Sequence, residues 1–142
     1  EEQRRLRADP SLTNVAVEEL LRYDGPVGAQ ARIVTRSHEM RGKVLKAGER
    51  VFIMLNAANR DHEAYTDADT LRLDRDGVPH LAFGFGAHIC LGFPLARMEG
   101  QVAFPALLER YRSIEPAAEA LEWTNSFVLR GMKALPVSAR RA

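Results

Sequence analysis

The sequence predicts a mainly α protein with small antiparallel β-sheets, and three features carry that expectation. Leu91, Leu95, Met98 and Val102 recur at helical spacing around Pro94, a favoured first helical position, and the pattern runs to about Tyr111. Short β-type segments, ARIVTR, HEMRGKVL and RVFIML, crowd into residues 31–55. Residues 61–79 show little periodicity of either kind.

In chain order, RRLRADPSL reads as the end of a helix, broken at Asp9-Pro10-Ser11, and Thr13 or Asn14 is placed to cap the next one. VAVEELLRY then forms a short helix with Val17, Leu20 and Leu21 on one side, and Gly25-Pro26 ends it. The β-type segments make a small antiparallel sheet, with a turn at Lys46-Ala47-Gly48-Glu49 before the last strand. Residues 56–60 form one helical turn. The polar run from Asp61 to Pro79 is long for a compact protein, and such stretches are functional or wrap around something. Pro105 removes one backbone bond and should kink the long helix. The tail WTNSFVLRGMKALPV reads as two short strands around Gly131.

Composition narrows the function classes. The 142 residues suffice for one modest core, and 20 basic against 19 acidic residues give no electrostatic case for nucleic acid. No apolar run is long enough to span a bilayer, and the charged opening EEQRRLRADP is no signal peptide. One cysteine rules out an internal disulfide and suits a reducing, cytoplasmic compartment. The abrupt, helix-end-like opening is expected of a fragment.

That cysteine sits in HLAFGFGAHICLG, residues 80–92, among Gly84, Gly86 and Gly92. A thiol is a good ligand or nucleophile only as thiolate, and a helix N-terminus just beyond Cys90 favours that form. The glycines let the backbone fold round the sulfur and admit a flat, bulky partner, while Phe83 and Phe85 supply apolar walls. Four readings compete. An inert buried thiol is the bland one. A nucleophile paired with His88 suffers because residues two apart in an extended loop face opposite ways. Zinc lacks a recognisable four-ligand spacing. A thiolate-bound heme needs one cysteine, a glycine-lined approach and a helix behind the sulfur.

FGFGAHICLG resembles the heme-binding signature of the cytochrome P-450 monooxygenases, Phe-Gly-x-Gly-x-His/Arg-x-Cys-x-Gly, with Phe83, Gly84, Gly86, His88, Cys90 and Gly92 filling every fixed position. Glu19-Leu20-Leu21-Arg22 is similar to the family's Glu-x-x-Arg helix motif. AANRD (57–61), PLARMEGQVAF (94–104) and LRGMKALPV (129–137) resemble, in order, a segment of soluble bacterial members, the helix after the cysteine and the closing hairpin. Order and spacing agree from about Leu12 to Val137.

The resemblance implies the C-terminal, heme-binding portion of the P-450 fold over residues 1–142. It implies Cys90 as the proximal ligand to the iron of heme b (iron protoporphyrin IX), its electron donation favouring O–O cleavage. His88 and Arg32 fall where side chains hold the heme propionates. Phe83 would pack beside the thiolate, with Gly84, Gly86 and Gly92 shaping the loop. Gly28, Ala29, Val128 and Leu129 fall in substrate-facing segments. Glu19 and Arg22, alone an ordinary solvated pair, would be the buried ion pair that ties helix to meander. His38 and His62 are left as surface residues.

Departures are specific. Thr70 stands where the meander's arginine completes a triad with Glu19 and Arg22, so Arg72 or Arg75 is the substitute; His62 replaces a common proline. The family's N-terminal half, with its oxygen-activating helix, has no counterpart here. The expectation is therefore the heme-thiolate portion of a soluble, cytoplasmic monooxygenase, inactive alone. Such an enzyme inserts oxygen into a small apolar organic substrate, with electrons from NAD(P)H through a ferredoxin or flavoprotein. No nucleic acid and no membrane is involved. Self-association or pairing with a separate N-terminal portion follows, because Leu20, Val51, Ile53 and Val128 would be uncovered. The rival expectation is a truncated relative acting as a heme-binding or interaction module without catalysis.

Overall fold

The structure, a computed structural model, describes every residue of the chain except Asp76 and Val78. Helix α1 (Glu2–Ala8) ends at Asp9, whose carboxylate accepts the Ser11 N–H and starts a 3₁₀ turn, Pro10–Leu12. Helix α2 (Thr13–Tyr23) follows without a break, so the expected cap at Thr13 or Asn14 is not made. Thr13 is already helical, and its hydroxyl donates back to the Pro10 carbonyl at 2.7 Å. The preceding 3₁₀ turn makes the helix start that a capping side chain would otherwise make.

The β-type segments form two ladders rather than one sheet. β1 (Ala29–Ile33) pairs antiparallel with β4 (Arg50–Met54), Ala29 opposite Met54 and Ile33 opposite Arg50. Between them β2 (His38–Met40) and β3 (Lys43–Leu45) make an exposed hairpin, turned at Arg41 and Gly42, both of positive φ. The one-turn helix α3 (Leu55–Ala58) follows β4, and its Leu55 N–H donates to the Gly28 carbonyl.

Helix α4 (Phe93–Arg110) carries Pro at its N-terminal turn, as the sequence predicts, and continues through Pro105 without ending. Packing on both sides of the missing bond holds it: α2 meets α4 at Gly100, where a Cβ would lie 3.1 Å from Val17, and Leu108 packs on the core of Leu6, Ala16 and Leu73. That core unites α1, α2, the meander and α4. The predicted apolar stripe of α4 does not face it. Leu91, Leu95, Met98 and Val102 are all exposed, and α4 buries no residue.

The tail pairs around Gly131 as expected, but briefly: an isolated antiparallel bridge joins Trp123 to Met132, the Thr124 N–H donates to the Gly131 carbonyl at 2.8 Å and the Lys133 N–H to the Glu122 carbonyl at 2.8 Å, while a second bridge joins Val27 to Leu129. The extended ladder is instead β5 (Tyr111–Pro116) with β6 (Val137–Arg141). Charged residues on both strands, exposed throughout β6, hide them from a search for apolar alternation. No helix among the described residues is long and apolar enough to cross a membrane.

Candidate functional site

The site begins at α2. Arg22 donates to both Glu19 carboxylate oxygens, from Nε at 2.6 Å and Nη2 at 2.9 Å, and both side chains are almost fully buried. The third member of the triad is Arg75, whose Nε lies 3.1 Å from Glu19 Oε2. Arg72 contributes its backbone N–H, 2.9 Å from Glu19 Oε1, while its side chain lies 3.7 Å from Asp74. Burial opposes the charge on Glu19, but the bonds from Arg22, Arg72 N–H and Arg75 outweigh it and hold the carboxyl below its ordinary value.

The two guanidiniums also satisfy the irregular meander. Arg22 Nη1 donates to the carbonyls of Asn59 (2.7 Å) and Ala68 (2.8 Å); Arg75 donates to those of Thr66, Asp67 and Thr70. A chain without ladder partners there finds its acceptor bonds on α2 and Arg75. Asn59, fully buried, carries the order onward: its Oδ1 accepts the Leu81 N–H at 2.7 Å, at the entrance to the cysteine loop.

The loop is held by its own backbone. Gly84 N–H donates to Leu81, Ile89 N–H to Gly86, and Cys90 N–H to the Phe83 carbonyl at 2.9 Å; the Cys90 carbonyl accepts the Phe93 N–H at 3.2 Å, where α4 starts. Gly84 and Gly86 have φ of +72° and +77°, which a side chain resists. At Gly84 a Cβ would also meet Gln30 Nε2 at 3.1 Å, whereas at Gly86 the space is open. A Cβ on Gly92 would lie 3.9 Å from Cys90 Sγ.

Cys90 is exposed, so the inert buried thiol is overturned. Phe85 (85% exposed) and Leu91 (97%) stand in the same loop, unpacked. His88, in the 3₁₀ turn Gly86–His88, is exposed and shares no hydrogen bond with Cys90 among the described residues. Arg32, on β1, donates to Gln30 Oε1 at 2.9 Å, and Gln30 abuts Gly84, so Arg32 reaches the loop through Gln30. Phe83 packs its ring among His80, Phe93 and Arg97.

A second cluster gathers the expected substrate-facing residues. Gly28 N–H donates to the Val128 carbonyl at 2.8 Å, Val27 bridges Leu129, and Phe127 meets Phe52 edge-on at 5.2 Å. Val128 and Leu129 are exposed. Ala29 is a correction: paired in β1 and 0% exposed, it can face no substrate. Leu20 and Val51, expected to be uncovered, are half-buried, while Ile53 and Val128 are exposed.

These residues fit one group. An exposed thiol on a loop with open space at Gly86, flanked by unpacked Phe85 and Leu91, suits a flat apolar ligand; His88 and Arg32 offer donors for acid groups. No three His, Cys, Asp or Glu converge as a metal site among the described residues.

The model of the Cytochrome P450 family matches residues 3–133. The chain belongs to the cytochrome P450 family. The family's cofactor is heme b. Over 137 residues the chain is 42% identical to the polyketide biosynthesis cytochrome P450 PksS of Bacillus subtilis (strain 168), covering 94% of this chain and 34% of that protein. Over 137 residues it is 47% identical to nocardicin C N-oxygenase of Nocardia uniformis subsp. tsuyamanensis, with the same coverage. The solved PksS structure superposes with a TM-score of 0.93 at 40% identity, over 97% of this chain and 36% of that one. This P450 chain thus has the C-terminal part of the P450 fold and spans about a third of the length of the curated relatives it matches.

Gln30, His80, Glu18 and Arg97 were given no role by sequence reasoning. Arg97 lies inside PLARMEGQVAF, which resembles the family, and His80 lies three residues before FGFGAHICLG, outside the segment that carries the resemblance. Their neighbour Glu18 is separated from them by 79 and 62 residues, and no local spacing marks it.

Proposed function

We propose that this P450 chain is the proximal, heme-thiolate portion of a monooxygenase that inserts one oxygen atom into a C–H or C=C bond of a small apolar organic substrate. Electrons come from NAD(P)H through a ferredoxin or flavoprotein, and the chain alone does not turn over. The observation that carries this reading is Cys90, the chain's single thiol, exposed on a loop whose backbone is held on both sides of it.

Heme b with a thiolate ligand supplies the oxidising chemistry when bound. Cys90 would hold the iron as its thiolate ligand. His88 and Arg32 would donate to the propionates, Phe83 would back the thiolate, and Gly84, Gly86 and Gly92 would allow the porphyrin's close approach. Gly28, Val128 and Leu129 line the substrate side, their small or apolar character excluding water.

Absorption of the heme-loaded chain under dithionite and carbon monoxide tests this. A thiolate-ligated ferrous complex absorbs far to the red of a histidine-ligated one. The expected result is the red-shifted band in the native chain and its loss in Cys90→Ala. The same spectrum in both overturns the assignment of the ligand.

A further inference from the structure

The backbone of Cys90 is gripped by two phenylalanines: the Phe83 carbonyl accepts its N–H and the Phe93 N–H donates to its carbonyl. The rings of the same two residues lie 6.2 Å apart, and the Arg97 guanidinium carbon sits 5.0 Å from the Phe83 centroid and 5.1 Å from that of Phe93. One cation therefore engages both residues that hold the cysteine.

Glu18 holds that cation. It accepts from Arg97 Nε at 2.6 Å and Nη2 at 2.7 Å, a two-point grip that sets the plane of the guanidinium. Glu18 Oε2 also takes a bond from His80 Nε2 at 3.1 Å, and His80 Nδ1 accepts the Ala82 N–H at 3.1 Å. These two partners assign the proton of the neutral ring to Nε2. The His80 ring, nearly fully buried, lies 5.7 Å from that of Phe83. One carboxylate on α2 thus joins the entry of the cysteine loop to the first turns of α4.

We propose that Glu18, acting through Arg97 and His80, is a positioning residue for the Cys90 thiolate; the inference rests on the heme-thiolate reading above. Stability explains the cluster poorly. The Glu18 and Arg97 side chains are 38% and 32% exposed, and ion pairs that open to water add little to folding. What the cluster does is hold the two residues on either side of Cys90, and groups that orient a metal ligand act on metal affinity.

The test uses the 142-residue chain loaded with heme, with Glu18→Gln and Arg97→Lys as variants. Glu18→Gln weakens the charged grip, and Arg97→Lys keeps the charge but loses the planar two-point contact. Heme affinity by titration is expected to fall about tenfold. Part of the ferrous carbonyl band moves from the red-shifted position to the blue, with the urea midpoint close to that of the native chain. Leu6→Ala, which opens the core away from this cluster, should do the reverse: a lower midpoint with an unchanged band. Native affinity and band in both cluster variants overturn the inference while leaving the heme reading intact. Absence of the red-shifted band in the native chain overturns the heme reading itself, and the inference with it.

Discussion

Replacing Glu19 by alanine strips the partner from two guanidiniums at once. Arg22 and Arg75 would both remain, almost wholly inaccessible to water, beside the Arg72 N–H that also loses its acceptor. Removing one member of a buried pair costs about 3–5 kcal/mol, because the charge left behind is neither solvated nor neutralised. Arg22→Ala falls in the same range, since it also strands the carbonyls of Asn59 and Ala68. Arg75→Ala should cost less, about 1–3 kcal/mol, because Glu19 keeps Arg22 and the Arg72 N–H. Urea denaturation at one fixed protein concentration, followed by emission of the single tryptophan, Trp123, reads each loss. The pH dependence supplies a second check. Glu19 titrates below its ordinary 4.5 in the fold, so its contribution is complete above that pH and is lost as pH falls through the folded value. The gap between the native chain and Glu19→Gln should therefore be widest near neutrality and close on acidification below 4.5. A loss under about 1 kcal/mol in Glu19→Ala is the signature of a solvated pair and refutes the reasoning.

Gly86→Ala should cost about 1–2 kcal/mol, the left-handed backbone penalty alone, whereas Gly84→Ala should cost more because its Cβ also pushes on Gln30; equal losses count against the contact with Gln30. Without a covering partner, exposed Leu91, Leu95, Met98 and Val102 should drive self-association, and Leu95→Glu with Val102→Glu should weaken it in sedimentation at several concentrations. A chain that sediments as a monomer throughout overturns that expectation. Arg130 lies 3.9 Å over the Trp123 ring and bonds Asp24 at 2.7 Å, so Arg130→Ala should change tryptophan emission at a stability cost of about 1 kcal/mol or less; unchanged emission refutes the stacking.

The long helix, the α2 segment, the turn at residues 46–49 and the cysteine loop were legible in the sequence because each depends on residues a few positions apart. Helical period, proline at a first turn and glycine at a positive φ are local properties, and so is the spacing of Phe83, Gly84, Gly86, His88, Cys90 and Gly92 that places the chain near its family. Glu19 and Arg22 lie one turn apart on α2, so that pair too is written locally. Their third partner is not: Arg75 lies 56 residues from Glu19, and Arg72 was an equal candidate until the meander's path turned its backbone, rather than its side chain, toward the carboxylate. The same distance separates expectation from outcome elsewhere. Ala29, though small and on a short strand, is 0% exposed, and β5 finds β6 across the whole tail. Gln30 joins Arg32 to Gly84, and Glu18 reaches Arg97 across 79 residues. The α4 stripe has the right period for burial, yet period says only which side chains share a face. Whether anything covers that face depends on long-range packing, and among the described residues nothing does.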